Sequence, residues 1–352
     1  MTIFEATNNI KSLNASVMDI SKKHWDSLTK PLGSLGRLES LVTQICGITG
    51  EVFPKVDKKC TIIMCADNGV TDEGVSSCPK EVTATVTKNF TKGVTGINVL
   101  SKFAKSDICI VDIGVEGEIS HPEILNKKIM NGTNNIAIGP AMTREQAISA
   151  IETGIEVAES LIARGYNLLN TGEMGIGNTT TSSAVLTVLT GKSVEETTGR
   201  GSGLSKVAYE NKKEVIRRAI KINNPNAGDV IDVISKVGGL DIAGLCGAFI
   251  GSANKRTPII IDGLISGVAA ICACRLQPKV KEFLIPSHSS AEPGAMAVND
   301  ELNFEAYINA EMRLGEGTGG AIMFNLIEAA FATYTELGKF VEVDIKPYVP
   351  QE

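Results

Sequence analysis

The sequence predicts an α/β fold built on a mostly parallel sheet with helices on both faces. Short β-branched runs recur along the chain, helical patterns fall between them, and polar and glycine residues follow each run. In such sheets ligands gather at the carboxyl ends of the strands, so those loops mark the expected site.

The elements follow in order. From Ser16 to about Phe53 the pattern is helical, broken at Lys30-Pro31-Leu32-Gly33-Ser34-Leu35-Gly36-Arg37, where proline and glycine end one helix and the next starts at about Arg37. Strand-like runs cover Cys60–Ala66, Asp107–Ile113, Tyr166–Asn170, Pro258–Asp262 and Phe283–Pro286. Helical patterns cover Arg144–Arg164, Ser182–Leu189, Lys206–Asn223, Gly228–Val237, Ile242–Ala253 and Ala321–Leu337, and a short polar tail closes the chain. The longest apolar segment, Thr257 to Arg275, carries Asp262 and reads as a buried strand and helix, not a membrane span.

With 352 residues, 43% of them hydrophobic, the chain can bury a sizeable core in one large domain or two unequal ones. A net charge of -6 and a pI near 5.4 leave no basic footprint, so no nucleic acid is expected as a partner. No basic stretch followed by an apolar one opens the sequence, which points to the cytoplasm. Eight cysteines sit mostly inside apolar runs without ligand spacing, and the three histidines lie far apart. Reduced core thiols are the expectation, with no metal site and no cofactor.

Two loops carry the chemistry. Leu314-Gly315-Glu316-Gly317-Thr318-Gly319-Gly320 sets one carboxylate among four glycines ahead of an apolar helix, the setting of a catalytic base presented by the main chain. By position alone, Glu316 is equally a cap acid for that helix. Asn170-Thr171-Gly172-Glu173-Met174-Gly175-Ile176-Gly177-Asn178-Thr179-Thr180 follows a strand and precedes a helix, an arrangement that gathers free N–H groups around an anion such as phosphate. Glu173 is either a turn residue or the second acid of a pair acting on one substrate.

Competing motifs are weaker. The Gly175 loop has Thr180 where a dinucleotide fingerprint needs its third glycine, and Leu186 stands where a Walker loop ending in Gly191-Lys192-Ser193 needs glycine. Gly199-Arg200-Gly201-Ser202-Gly203 reads as a flexible loop or as part of the phosphate site, with Lys212 on the helix behind it. His288, between Ser287 and Ser289, reads as a structural histidine.

The chain resembles the nicotinate-nucleotide:dimethylbenzimidazole phosphoribosyltransferase family over nearly its whole length. The resemblance is carried by Lys30 to Glu39, Cys65-Ala66-Asp67-Asn68-Gly69-Val70, Gly172-Glu173-Met174-Gly175, Asn178-Thr179-Thr180, Ser235 to Gly239, Ile285-Pro286-Ser287-His288 and Arg313 to Gly317. It implies a Rossmann-like large domain (56–320) and a small helical domain from the N-terminal (1–55) and C-terminal (321–352) segments. The implied reaction moves phosphoribose from nicotinate mononucleotide to 5,6-dimethylbenzimidazole or a similar base, giving α-ribazole 5′-phosphate. Glu316 takes the role of catalytic glutamate and Glu173 that of supporting acid, and Lys212 falls near the phosphate. Gly175, Gly177, Asn178, Thr179, Thr180, Gly203, Asp262, Ser287 and Gly315 complete the implied substrate site.

Departures from the family pattern concern the base. Asn68 stands where histidine is usual, and Cys78 and Val86 stand where serine and glutamine address the base. A thiol hydrogen-bonds weakly and valine not at all. Ser289 and Gly267 replace expected aromatic residues and would loosen the pocket. The family resemblance implies a homodimer with active sites near the subunit interface. A phenol- or p-cresol-activating member, alone or as one subunit of a heterodimer of paralogues, is the alternative.

Overall fold

The structure, a computed structural model, describes residues 1–201, 203–343 and 345–346. Six strands, β1 (Lys59–Ala66), β2 (Asp107–Gly114), β3 (Ile124–Asn126), β4 (Leu168–Met174), β5 (Ile259–Ile261) and β6 (Leu284–Pro286), pair in the order β3-β2-β1-β4-β5-β6. Every pairing is parallel. Strand order reverses between β1 and β4, which opens a crevice at their carboxyl ends.

Burial explains the strand sequences. Every residue of β1 is buried, as a central strand covered on both faces requires. Alternate side chains serve opposite faces: Ile62 and Met64 join the largest apolar cluster with helices Arg144–Ala163 and Leu240–Asn254, whereas Ile63 and Cys65 pack with Phe90 and Ile97.

The N- and C-terminal helices meet on the sheet. Ala15–Ser27, Arg37–Thr49 and Thr318–Glu336 share a cluster in which Trp25, Leu41, Ile45, Phe324 and Tyr334 contact Leu168, Ile260 and Ile285 of the strands. Trp25 and Tyr334 rings stand 4.8 Å apart, and a buried Lys30–Glu39 ion pair of 2.7 Å ties down the glycine break. The terminal tail 347–352 lies outside the described residues.

The five expected strands appear in order with shifts in their limits, and helices Val82–Phe90, Gly96–Phe103 and Gly294–Leu302 stand where the sequence pattern gave none. β3 carries no strand signal in the sequence, because two of its three residues are exposed and no buried β-branched run marks it. The segment 171–174 was expected as a glycine-rich loop, yet β4 continues through Met174, paired to β1 with Gly172 opposite Ile63 and Glu173 opposite Met64. Likewise the helix expected from Ser182 starts at Asn178, directly after Gly177 in the left-handed region. Both corrections move Glu173, Asn178, Thr179 and Thr180 from loop onto regular structure.

Candidate active site

A cleft of about 250 Å³ lies at the carboxyl ends of the central strands. Glu173, Gly175, Gly177, Asn178, Thr179, Asp262, Gly315, Glu316 and Val86 all line it, so most of the expected residues converge. Thr180, Lys212 and Ser287 are buried and absent from the cleft lining. Cys78 belongs to a neighbouring surface hollow with Lys80 that shares Ser76 with the cleft, and Gly203 stands outside the lining. Gly267 does not loosen the pocket: it is a helix packing position, where an added Cβ would come within 2.6 Å of Val298 Cγ1.

The two glycine-flanked acids are clasped together. Glu316 sits in the left-handed region at φ 61°, between Gly315 at 83° and Gly317 at 91°, a run that a non-glycine residue adopts only when its surroundings enforce it. Glu173 supplies part of that restraint, because its carboxylate packs against the turn where a Cβ on Gly315 would sit, and the Glu316 amide opposes the rise of its pKa. Below, Gly172 lies so close to this turn that an added Cβ would collide with the Glu316 carbonyl, 2.7 Å from its carbon and 3.0 Å from Gly317 N. Glycine inside β4 thus lets the loop rest on the strand.

Glu316 is half-buried, and its Oε2 accepts the N–H of Ile97 at 3.0 Å. It therefore lines the cleft and also sits at the N-terminus of helix Gly96–Phe103. Burial raises its pKa, opposed by the amides of Ile97 and Gly96. By sequence it reads as a base or as the cap of the following helix; the helix it meets is a different one, over 200 residues earlier in the chain.

The following helix is capped by Asp262. Its carboxylate accepts Gly319 N at 2.7 Å, Gly317 N at 3.1 Å and Gly320 N at 3.2 Å, which starts the helix at Thr318 instead of Ala321. Burial raises Asp262 to about 7 against the pull of those three amides.

Asp241 carries no site signal in the sequence, where it lies just before the apolar helical pattern Ile242–Ala253. It is fully buried and receives one N–H of the Asn178 amide at 2.9 Å, while the same nitrogen donates to Glu173. Burial, then the Asp241 charge, push Glu173 up to about 8, with Asn178 opposing; burial raises Asp241 to about 6.

These raised values carry a sign. In the unfolded chain such carboxyls release their protons near pH 4, whereas the native protein keeps them to about 6, 7 and 8. The native state binds more protons in that window, so these groups make stability fall as pH rises from about 4 to 8. Thermal midpoints should therefore decline between about pH 5.5 and 8, and Glu173→Gln should flatten the slope. A midpoint that climbs with pH, or a slope indifferent to that substitution, would contradict the assignment.

At the other end, Lys212 donates to Thr179 Oγ1 at 2.8 Å and to the Gly199 carbonyl at 3.2 Å. Burial lowers it to about 8, with Glu292 opposing. A cation thus stands directly behind the first turn of helix Asn178–Thr190, whose Asn178 and Thr180 N–H groups bond the Gly175 and Gly177 carbonyls and whose N-terminal dipole end lies at the cleft.

The remaining wall is apolar at Val86, Met174, Ile176 and Leu314, with Ser76 beside them. Arg313, His288, Ser290 and Glu292 also line the cleft and were not foreseen as site residues, although Arg313 and His288 belong to the motifs quoted above. Arg313 is the one Arg or Lys among the described lining residues. Asn68 is buried beside the site and donates weakly to the Ile176 carbonyl at 3.4 Å.

Comparison with known proteins identifies the family and the fold. A family model described as Phosphoribosyltransferase (DBI_PRT) matches residues 10–345. The chain is 55% identical over 349 residues to the nicotinate-nucleotide–dimethylbenzimidazole phosphoribosyltransferase of Acetivibrio thermocellus, covering 99% of each. It is 54% identical over 350 residues to the protein of that name from Clostridium acetobutylicum, again covering 99% of each. Its fold is similar to the crystal structure of CobT from Thermus thermophilus, with a TM-score of 0.91 and 32% identity over 95% of this chain and 100% of that one. Full-length matches at these identities, on the same sheet and helices, make the chain a member of the nicotinate-nucleotide–dimethylbenzimidazole phosphoribosyltransferase family.

Proposed function

We propose that this protein transfers phosphoribose from nicotinate mononucleotide to an aromatic base such as 5,6-dimethylbenzimidazole, giving α-ribazole 5′-phosphate and nicotinate for cobamide assembly. The observation that carries this reading is Glu316, a carboxylate held on a left-handed turn in the cleft, with Glu173 packed against the adjoining Gly315.

The chemistry follows from the donor. Nicotinate on ribose is a pyridinium, so the electrons of the breaking C1′–N bond neutralise the ring and it departs without a proton. The incoming base is harder to activate. Glu316 takes its N–H proton while the ring nitrogen forms a bond to C1′ from the face opposite nicotinate, which inverts the anomeric centre to α. The Ile97 and Gly96 amides stabilise the ionised base form of Glu316 before that transfer.

Glu173 serves as the second acid. Near neutral pH its burial favours the protonated form, but a bound pyridinium beside it shifts the balance toward the carboxylate, which then stabilises positive charge on the ribose. The Gly175 to Thr179 turn, the helix N-terminus at Asn178 and Lys212 behind Thr179 form the phosphate end. We also place the enzyme in the cytoplasm as a homodimer. The exposed Val94, Val99 and Phe103, beside and on the helix that receives Glu316, supply an apolar strip suited to a second copy.

A second reading, phosphoribosylation of phenol or p-cresol, draws on Val86, Met174, Ile176 and Leu314. These four give an azole edge no polar partner. A phenol needs only its O–H proton removed, which Glu316 serves equally well.

The test is a competition assay with nicotinate mononucleotide and equal amounts of dimethylbenzimidazole, adenine, phenol and p-cresol, with products identified by mass. The expected main products are the benzimidazole ribotide and nicotinate. Phenolic products in excess would favour the second reading, and no release of nicotinate would reject both.

A further inference from the structure

His288 is more than the structural histidine its sequence context suggests, and its hydrogen bonds fix which ring nitrogen carries the proton. Ser287 Oγ lies 3.0 Å from the Asp262 main-chain carbonyl, which can only accept, so the single hydroxyl proton goes there. The same oxygen lies 3.0 Å from His288 Nδ1. With its proton spent, Ser287 Oγ must accept at that contact, and Nδ1 must be the N–H donor.

A second contact agrees. Nδ1 lies 3.9 Å from Asp262 Oδ1, which attracts an N–H and would repel a lone pair. Burial also lowers the pKa of His288, so the ring is neutral at neutral pH. Proton placement is thus assigned from the network, and a neutral ring with Nδ1–H leaves a lone pair on Nε2.

The ring is held in this orientation from behind. Helix Thr318–Glu336 carries Gly319 against it, where an added Cβ would fall within 2.5 Å of Cε1 and 2.9 Å of Cγ. Nε2 has no hydrogen-bond partner among the described residues, and with Cε1 it is the part of the ring nearest Gly263, which, like His288, lines both the cleft and the smaller hollow beside it. Ser287 and Asp262 therefore preset an acceptor beside Gly263.

An acceptor needs a donor on the ligand. The nucleotide's phosphate and nicotinate carboxylate present oxygen lone pairs, which Nε2 repels, and the base N–H is committed to Glu316. Only the two hydroxyls of the ribose remain. We propose that His288 Nε2 accepts a hydrogen bond from a ribose hydroxyl of the donor nucleotide, orienting the sugar for attack at C1′, with Ser287 fixing the tautomer. This rests on the phosphoribosyl-transfer reading above.

Two measurements test it. Because the chain has three histidines, nitrogen NMR of the histidine-labelled protein, with His24→Gln and His121→Gln for assignment, reads the tautomer directly. At neutral pH His288 should show a pyrrole-type Nδ1 and a pyridine-type Nε2, and the reverse pattern would overturn the assignment. The second is a cycle of kcat/KM values for nicotinate mononucleotide and its 2′-deoxy and 3′-deoxy forms, measured with wild type, His288→Ala and Ser287→Ala.

In wild type, one deoxy donor should lose about tenfold. That loss should vanish in His288→Ala and shrink in Ser287→Ala, while the other deoxy donor behaves alike in all three. Equal losses for both analogues in wild type and His288→Ala would sink the proposal even though turnover of the parent nucleotide stands. Absence of wild-type turnover would instead reject the phosphoribosyl reading itself, leaving the tautomer result to be judged separately. Should His288→Ala fail to fold, Ser287→Ala and the NMR result decide.

Discussion

Glu316→Gln is expected to lower turnover of nicotinate mononucleotide and a benzimidazole by about 100- to 10,000-fold, with the donor KM little changed. The carboxamide can still accept the Ile97 N–H through its oxygen, so the turn and the N-terminus of helix Gly96–Phe103 keep their contact. What it cannot do is take a proton from the incoming ring. Steady-state kinetics with thermal melting as a folding control separates these effects: a slow, normally folded variant supports the base assignment. Undiminished turnover would remove Glu316 from that role and shift attention to Glu173.

Gly172→Ala is expected to be nearly as damaging without touching either acid. The added methyl would enter the main chain of Glu316 and Gly317, and neither side yields cheaply. β4 is pinned by its ladder to β1, and the Glu316 turn is pinned by Glu173 and by Asp262 below Gly317. Overpacking of this kind costs about 1–3 kcal/mol, and displacing a reacting group by about 1 Å can cost about 100-fold in rate. The measurements are kcat/KM and the thermal midpoint, with Gly139→Ala as a control in open space. Full activity in Gly172→Ala would mean that the turn does not rest on the strand.

Much of the site was readable before folding because its signals are local. Glycine flanking an acid marks a turn at Glu316, and a strand, glycines and a helix start mark the run Gly175 to Thr179 that lines the cleft. Lys212 was placed near phosphate through the family resemblance, and the fold puts it 2.8 Å from Thr179. Misreadings also have local causes. The glycines of 172–175 imitate a loop, although Gly172 serves close approach inside a strand.

Other features had no signal in any window of sequence. Asp241 meets Glu173 only through Asn178, and Asp262 caps a helix more than 50 residues away. Gly267 looks like a vacancy in a pocket until Val298 is seen to fill it. His288 gains its tautomer from the neighbouring Ser287 hydroxyl only once the β5–β6 pairing brings the Asp262 carbonyl to take that hydroxyl's proton.

The sequence by itself determined the α/β class, the order of strands β1, β2, β4, β5 and β6, and two glycine-flanked acids that the fold brings to one cleft, because periodicity, turn chemistry and glycine placement act over a few residues. Tertiary structure alone decided how far β4 extends, which helix Glu316 meets, and which buried carboxyls hold protons. Those outcomes depend on which distant backbone amides and charges are brought within hydrogen-bond reach and on how much water is excluded, and neither exists until the sheet has closed around them.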